Sequence, residues 1–191
     1  MLICFPTSSV VQDSIRWVSW HPSREKCFVL NVDRSCLGDS GRAGAGGLIR
    51  RGDGSWVIGF SCFLRIANNT YAELIAIFYG LNLASYQGCT VCCCYSDSKT
   101  AIDLIMKPVS VNRFHSYASV IANIKQLMNL EWEVNLSHTL REGNSCADFL
   151  AKVGSSNDTK LRIWSSPPEG LNSLLRDDAL RLLRCGPGIK F

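Results

Sequence analysis

The sequence predicts an α/β domain in which helices pack on one mixed β-sheet. Alternating apolar residues separated by short turns predict three consecutive strands, the pattern of an antiparallel meander. The apolar period then changes from that of a strand to that of a helix, and the later strands are separated by helical segments. Strands joined through helices run parallel, so the sheet should be mixed. We expect five strands, the first three of them antiparallel.

The meander begins at Cys27. Alternation along the first strand predicts two faces, with Phe28, Leu30 and Val32 on one and Val29, Asn31 and Asp33 on the other. A glycine-rich second strand follows Gly38 and ends at Arg50. The sequence Arg51-Gly52-Asp53-Gly54 predicts a hairpin turn. Alternating apolar residues from Trp56 to Leu64 then form the third strand.

Helical periodicity runs from Thr70 to Tyr86, and Gly88 should end that helix. Thr90–Tyr95 is continuously apolar, as in a buried parallel strand. The remaining elements, in chain order, are a helix over Ser98–Met106, a helix over 116–130, a strand from Trp132 to Leu136, and a helix over Asn144–Val153.

The predicted elements divide the chain into one domain with two flanking segments. The domain covers residues 27–155, preceded by a lead-in segment at 1–26 without sustained periodicity. A polar break at Gly154–Asp158 starts a C-terminal tail over 156–191, which contains a short amphipathic helix between Leu174 and Leu183.

Composition excludes a disordered chain and leaves a nucleic-acid partner open. Among 191 residues, 47% are hydrophobic, and the net charge is only +4. The ten cysteines could form disulfides, bind zinc or fill the core. The start of the chain has no secretory signal pattern, and Cys89-x-x-Cys92 has no second pair at zinc spacing. We therefore expect reduced cysteines in the core. No run of 18 apolar residues occurs, so we expect no membrane span.

Four acidic residues lie at positions where predicted elements begin or end: Asp33, Glu73, Asp97 and Asp148. Asp33 ends the first strand and Asp97 follows the fourth, so the two should be neighbours if these strands lie side by side. Glu73, in the first turn of its helix, and Asp148 could approach from helices on the same side. Taken singly, each acid has a structural explanation: Asp97 could cap a helix, Glu73 could favour a helix dipole, and Asp148 could be solvated.

Taken together, the four acids indicate a metal site. Converging carboxylates repel one another unless a cation neutralises them. A set of oxygen ligands without cysteine or histidine suits Mg²⁺ or Mn²⁺. Two such ions about 4 Å apart catalyse in-line phosphoryl displacement, so the pattern favours metal-dependent cleavage of a phosphodiester.

The motifs occur in the order seen in the ribonuclease H family, and they resemble most the plant reverse-transcriptase-like ribonuclease H type 1 domains associated with retrotransposons. The motifs are Asn31-Val32-Asp33, Gly44-Ala45-Gly46-Gly47, Ala72-Glu73-Leu74, Ser96-Asp97-Ser98, His138-Thr139-Leu140-Arg141-Glu142-Gly143-Asn144 and Ala147-Asp148. The resemblance implies the ribonuclease H-like fold, with Asp33, Glu73, Asp97 and Asp148 as catalytic metal ligands. It implies that His138, ten residues before Asp148, assists proton transfer or product release.

Arg34 departs from the family pattern, which usually has glycine after the first acid. Arg34 could contact a phosphate or could obstruct the substrate groove. Other candidates for substrate contacts are the backbone amides of Asp33–Cys36 and five side chains. These side chains are Ser35, Asn69, Ser98, Asn112 and Arg141, each of which could instead serve as a turn or cap residue.

The resemblance implies hydrolysis of the RNA strand of RNA–DNA hybrids by a two-metal carboxylate site. The expected cofactor is Mg²⁺, with Mn²⁺ possible, and the expected partners are the hybrid and a reverse transcriptase or other nucleic-acid-binding domain. We expect a monomer in the nucleus or cytoplasm, not a secreted protein. The alternative is a catalytically weak or inactive nucleic-acid-binding remnant of a retroelement, favoured by Arg34 and by the lack of a basic substrate-gripping helix.

Overall fold

A six-stranded mixed sheet is the centre of the computed structural model, which describes residues 17–18, 27–37, 42–108, 116–179 and 184–185. The strands are β1 (Phe28–Leu37), β2 (Arg42–Arg51), β3 (Trp56–Ile66), β4 (Val91–Ser96), β5 (Glu133–His138) and β6 (Arg162–Trp164). They lie in the order β5-β4-β1-β2-β3-β6. Asn112 and most of the predicted lead-in segment lie outside the described residues.

Strand directions agree with the predicted meander and crossovers. β1 is antiparallel to β2, and β2 is antiparallel to β3. β4 runs parallel to both β1 and β5. The mixed sheet with three antiparallel first strands is therefore confirmed.

The predicted number of five strands is wrong, because β6 adds a sixth. It pairs antiparallel with the outer edge of β3, from Gly59 opposite Trp164 to Ser61 opposite Arg162. Three residues are too few for an alternating pattern to be recognised in the sequence. β6 lies in the segment predicted as a tail, so this part of the tail completes the sheet.

The described residues form five helices: α1 (Asn69–Tyr86), α2 (Lys99–Met106), α3 (Ala118–Met128), α4 (Ser145–Ser156) and α5 (Asn172–Ala179). Short 3₁₀ turns precede α4 and α5, at Arg141–Gly143 and Glu169–Leu171. Outside the main sheet, Trp17–Val18 pairs antiparallel with Arg184–Cys185. None of the helices in the described ranges has both the length and the apolar character needed to cross a bilayer.

The helices cover opposite faces of the sheet. Helix α1 packs on the face of Leu30 and Val32, where a Cβ at Gly80 would lie 2.8 Å from Val32 Cγ1. Helix α4 packs on the other face, which carries Asp33. There it forms an apolar cluster with Leu48 of β2 and with leucines of α5. The expectation that α1 and α4 approach from the same side is therefore wrong. Instead, the N-terminal parts of α1 and α4 lie near the same end of the central strands.

Two glycines of β2 allow α4 to approach the sheet at backbone contact. A Cβ built at Gly46 would lie 2.2 Å from the backbone nitrogen of Ala151. At Gly44 it would lie 2.3 Å from the backbone nitrogen of Ser155. Because backbone atoms cannot rotate out of the way, a methyl group at either position would push α4 off the sheet.

Most cysteines of the main sheet and its helices are buried, as expected. Eight of the described cysteines are free thiols, of which six are buried and two, Cys36 and Cys93, are half-buried. Cys62, Cys92 and Cys94 belong to the main apolar cluster. Burial raises the pKa of the Cys62 thiol to about 11, which keeps it protonated and poorly reactive. Cys27 Sγ lies 2.9 Å from Cys93 Sγ across the start of β1 and β4.

We predict that Gly46→Ala lowers the free energy of unfolding by about 3 kcal/mol or more, because α4 must move. Gly88→Ala is the matched control, since nothing lies within 4 Å of a Cβ there and only its φ of +70° is unfavourable. The control should cost only about 1 kcal/mol. Urea denaturation of both variants measures the difference, and equal losses would contradict the close packing of α4.

Candidate active site

Three of the predicted acids meet where β1 and β4 separate. The ladder between these strands ends with Val32 opposite Ser96. Asp33 is the next residue of β1, and Asp97 follows directly after the end of β4. Glu73 reaches the same point from α1. One carboxylate oxygen from each of the three acids lies within 4.8 Å of the others. Their predicted convergence is therefore present in the structure.

Other residues cap helices α1 and α2, so the carboxylates of Glu73 and Asp97 do not serve as helix caps. Ser98 caps α2, because its hydroxyl accepts a hydrogen bond from the backbone nitrogen of Ala101 at 3.3 Å. The alternative that Asp97 caps this helix is thus excluded. Asn68 caps α1, so the helix begins at Asn69 and Glu73 is its fifth residue. The expectation that Glu73 lies in the first turn is wrong for this reason.

Asp148 lies beside the three acids without joining their 4.8 Å group. It occupies the first turn of α4 and forms an ion pair with Lys152 one turn later, with Oδ2 and Nζ 2.6 Å apart. Its charge still contributes to the raised pKa of Asp33. The ammonium group of Lys152 therefore neutralises Asp148, which remains near the other three acids.

Burial and mutual repulsion raise the pKa of two acids far above the ordinary range. Asp33 is 2% exposed, and its burial together with the charges of Asp97 and Glu73 raises its pKa to about 8. Burial and the charge of Asp97 raise the pKa of Glu73 to about 7, although Arg34 opposes this rise. In the absence of a cation, this site therefore holds protons near neutral pH.

Two arginines partly neutralise the group. Arg34 Nε lies 3.3 Å from Glu73 Oε1, and Arg141 Nε lies 3.2 Å from Asp97 Oδ2. Asp33 makes no ion pair within the described part of the chain, and its Oδ1 accepts a hydrogen bond from the backbone nitrogen of Arg34. The most buried acid of the cluster is thus the one without a side-chain cation.

The oxygen atoms of the cluster, one of them without a hydrogen-bond partner, are suitable ligands for a divalent metal ion. Glu73 Oε2 is buried and has no hydrogen-bond partner among the described residues. Leaving such an oxygen unpaired costs free energy, which a bound cation would recover. Carboxylate oxygens from Asp33, Glu73 and Asp97 form the hard donor set that Mg²⁺ and Mn²⁺ prefer.

His138 and Arg141 lie on the exposed side of Asp97. His138 is the last residue of β5, and its Nε2 lies 3.2 Å from the backbone oxygen of Asp97. The side chain of Arg141 is 70% exposed, while its guanidinium contacts Asp97. Both residues thus have one side toward the acids and another toward solvent.

The other predicted contact residues have structural partners. Ser35 is buried under α4, where its hydroxyl accepts a hydrogen bond from Ser155 Oγ. Ser98 is the cap of α2, and the exposed Asn69 accepts a hydrogen bond from Cys36 Sγ through Oδ1. Ser35 therefore presents no side chain to a substrate in this conformation.

Two asparagines support the site, although no role was predicted for them. Asn31 Nδ2 donates to Asn144 Oδ1 at 3.2 Å, and Asn144 Nδ2 donates to the backbone oxygen of Val32 at 2.8 Å. Both are almost completely buried. Their sequence signal is that each lies inside a motif beside an acid, Asn31 two residues before Asp33 and Asn144 four before Asp148.

The fold of this sheet and its helices is the ribonuclease H-like α/β fold. Ribonuclease H1 of Halobacterium salinarum aligns with a TM-score of 0.58 at 21% identity, over 69% of this chain and 99% of that one. The metagenomic compost protein LC11-RNase H1, solved in complex with an RNA/DNA hybrid, aligns with a TM-score of 0.53 at 22% identity. That alignment covers 68% of this chain and 96% of the other.

Sequence comparison identifies the family within this fold. The family model described as reverse transcriptase-like matches residues 31–154, and the chain belongs to this family. An Arabidopsis thaliana protein named "Putative ribonuclease H protein" is 29% identical over 174 residues, covering 91% of this chain. The match covers 27% of the Arabidopsis protein, so the chain spans about a quarter of this curated relative.

We predict that, without divalent metal, the free energy of unfolding falls as pH rises from about 5 to 8, because folded Asp33 and Glu73 retain protons that the unfolded chain has lost. The slope should reach at most about 1.4 kcal/mol per pH unit for each group. Asp33→Asn should flatten the fall, measured by urea denaturation in chelator. Asp158→Asn, at an exposed ion pair with Arg42, is the control and should keep the wild-type slope.

Proposed function

We propose that the protein hydrolyses the RNA strand of RNA–DNA hybrids with the help of divalent metal ions. The observation that carries this proposal is the group of Asp33, Glu73 and Asp97, of which the first two are buried, with an unsatisfied oxygen on Glu73. The ribonuclease H architecture and the matched family support the same reaction class.

Asp33, Glu73 and Asp97 would hold a metal ion, and Asp148 would contribute its carboxylate to the two-metal site. The expected ion is Mg²⁺, and Mn²⁺ has the same preference for oxygen ligands. When bound, such ions make water a better nucleophile and stabilise charge on the attacked phosphate. The resulting RNA ends would be a 5′-phosphate and a 3′-hydroxyl.

Residues on the exposed side of the cluster would handle the proton and the phosphate. His138 is solvent-accessible beside Asp97, where its ring can accept a proton from the attacking water or assist product release. Arg141 extends from Asp97 into solvent, where its guanidinium can contact a phosphate of the RNA strand.

The surface beside the acids offers a polar contact of the kind that recognition of an RNA strand needs. Discrimination of RNA from DNA requires contacts to 2′-hydroxyls across a shallow minor groove. Asn69 is exposed close to Glu73 and offers both a donor and an acceptor for this purpose. LC11-RNase H1, which shares the fold, was solved with a hybrid bound.

A further domain would supply part of the affinity for the hybrid. Between Asp97 and His138 the sequence has only four lysine or arginine residues, so we expect few phosphate contacts from this region: Lys99, Lys107, Arg113 and Lys125. The curated relative is about four times longer than the region of match. We propose that a reverse transcriptase or another nucleic-acid-binding domain acts together with this one.

The ion pair between Arg34 and Glu73 favours a second candidate function, a nucleic-acid-binding remnant with weak or no catalysis. Arg34 occupies one oxygen of a proposed metal ligand at 3.3 Å and supplies the charge that a cation would otherwise provide. If this pair persists with substrate bound, the domain would bind hybrids without cutting them.

We predict that Asp97→Asn abolishes cleavage of a labelled hybrid in Mg²⁺ or Mn²⁺ and removes most of the metal-induced rise in Tm. Neutralising Asp97 removes a ligand and much of the repulsion that metal relieves. Asp103→Asn, on the exposed side of the neighbouring helix α2, is the control and should retain both properties. If wild type cuts no faster than Asp97→Asn, the proposed enzyme is wrong and the binding remnant is favoured.

A separate prediction distinguishes the two interpretations of Arg34. If Arg34 competes with metal for Glu73, Arg34→Gly should lower the Mg²⁺ concentration for half-maximal cleavage about tenfold, equivalent to about 1.4 kcal/mol. KM for the hybrid should change little. A rise in KM with an unchanged Mg²⁺ requirement would instead show that Arg34 binds a phosphate.

A further inference from the structure

A buried ion pair connects the C-terminal helix to the middle of the sheet. Arg50 of β2 is 1% exposed, and its Nη1 lies 2.9 Å from Oδ2 of Asp178 in α5. The side chain of Asp178 is only 6% exposed. Cys146, at the start of α4, directs its thiol at the same oxygen from 3.2 Å. Asp178 thus contacts both the sheet and the helix that carries Asp148.

From Arg50 a directional chain of hydrogen bonds leads toward the candidate active site. Arg50 Nη2 donates to Asn31 Oδ1 at 2.8 Å, and Asn31 Nδ2 donates to Asn144 Oδ1. Asn144 Nδ2 then donates to the backbone oxygen of Val32. Because a guanidinium can only donate, its contact sets the orientation of the first amide, which sets that of the second.

This chain ends at two of the proposed metal ligands. The carbonyl of Val32 belongs to the peptide unit that joins it to Asp33. The backbone oxygen of Asn144 accepts a hydrogen bond from the backbone nitrogen of Asp148 at 3.1 Å. Asn144 therefore relates the position of Asp33 on β1 to that of Asp148 on α4.

The energetics of a buried ion pair favour a positioning role over a purely stabilising one. Removing two charges from water costs about as much as their attraction returns, and apolar replacements of similar volume often leave stability unchanged. What an apolar pair could not do is orient Asn31. The ion pair between Arg50 and Asp178 therefore serves to orient Asn31, a role separate from any contribution to stability.

We propose that Asp178 is a positioning residue for the active site, acting through Arg50, Asn31 and Asn144 on Asp33 and Asp148. This inference rests on the proposed function. It extends the functional unit beyond residue 154, where the family match ends, to include α5. The C-terminal segment is then part of the catalytic domain.

The test replaces the pair by apolar residues of similar size in the full chain, as Arg50→Met with Asp178→Leu. We expect a Tm close to that of wild type, a loss of kcat of about 10- to 100-fold and little change in KM. Arg42→Met with Asp158→Leu is the matched control, because it removes a surface pair that also joins β2 to a later segment. The control should keep the wild-type kcat.

A folded double variant with wild-type kcat overturns the proposal. If the double variant does not fold, Asp178→Asn is measured in the same way, and an unchanged kcat overturns the proposal again. If wild type itself cuts no hybrid, the proposed function fails, and the Mg²⁺-induced rise in Tm then decides the role of Asp178. A smaller rise in the apolar variant than in wild type supports positioning, and an equal rise contradicts it.

Discussion

The placement of three carboxylates within 4.8 Å of one another, with those of Asp33 and Glu73 buried and that of Asp97 10% exposed, is the constraint on which the rest of the site depends. Charges of one sign at this separation, with little solvent, repel strongly. Two guanidinium groups and one ammonium group lie beside the acids, yet burial and repulsion still raise the pKa of Asp33 to about 8. Without a cation, the site therefore retains protons near neutral pH.

The backbone maintains this unfavourable arrangement through contacts away from the acids. The parallel pairing of β1 with β4 places Asp33 and Asp97 side by side, because their ladder ends one residue earlier. The glycines of β2 bring α4 to backbone contact with the sheet, which brings Asp148 near the same point. Opposite faces of the sheet thus supply Glu73 and Asp148.

Much of this arrangement could be predicted from local patterns. Residue periodicity and turn motifs were sufficient for five strands, five helices and the meeting of Asp33 with Asp97. Three features could not be read locally: the three-residue strand β6, the opposite faces of α1 and α4, and the pairing of Arg50 with Asp178. Each depends on residues far apart in the chain, and Arg50 and Asp178 are separated by 128 positions.

Arg34 shows a different limit of sequence reasoning. Its place after the first acid indicated that it was unusual, but two roles were equally compatible with the sequence. The structure shows it paired with Glu73 at 3.3 Å, a contact that neither of the two predicted roles included. The remaining oxygen of Glu73 is still available to a ligand.

Calorimetric titration of the metal-free protein with Mn²⁺ near pH 7 tests the central claim most directly. Because the pKa values of Asp33 and Glu73 are raised to about 8 and about 7, metal binding should release protons. The binding heat should vary with the ionisation enthalpy of the buffer at pH 7 and vary less at pH 9. No binding, or binding without proton release at pH 7, would contradict it.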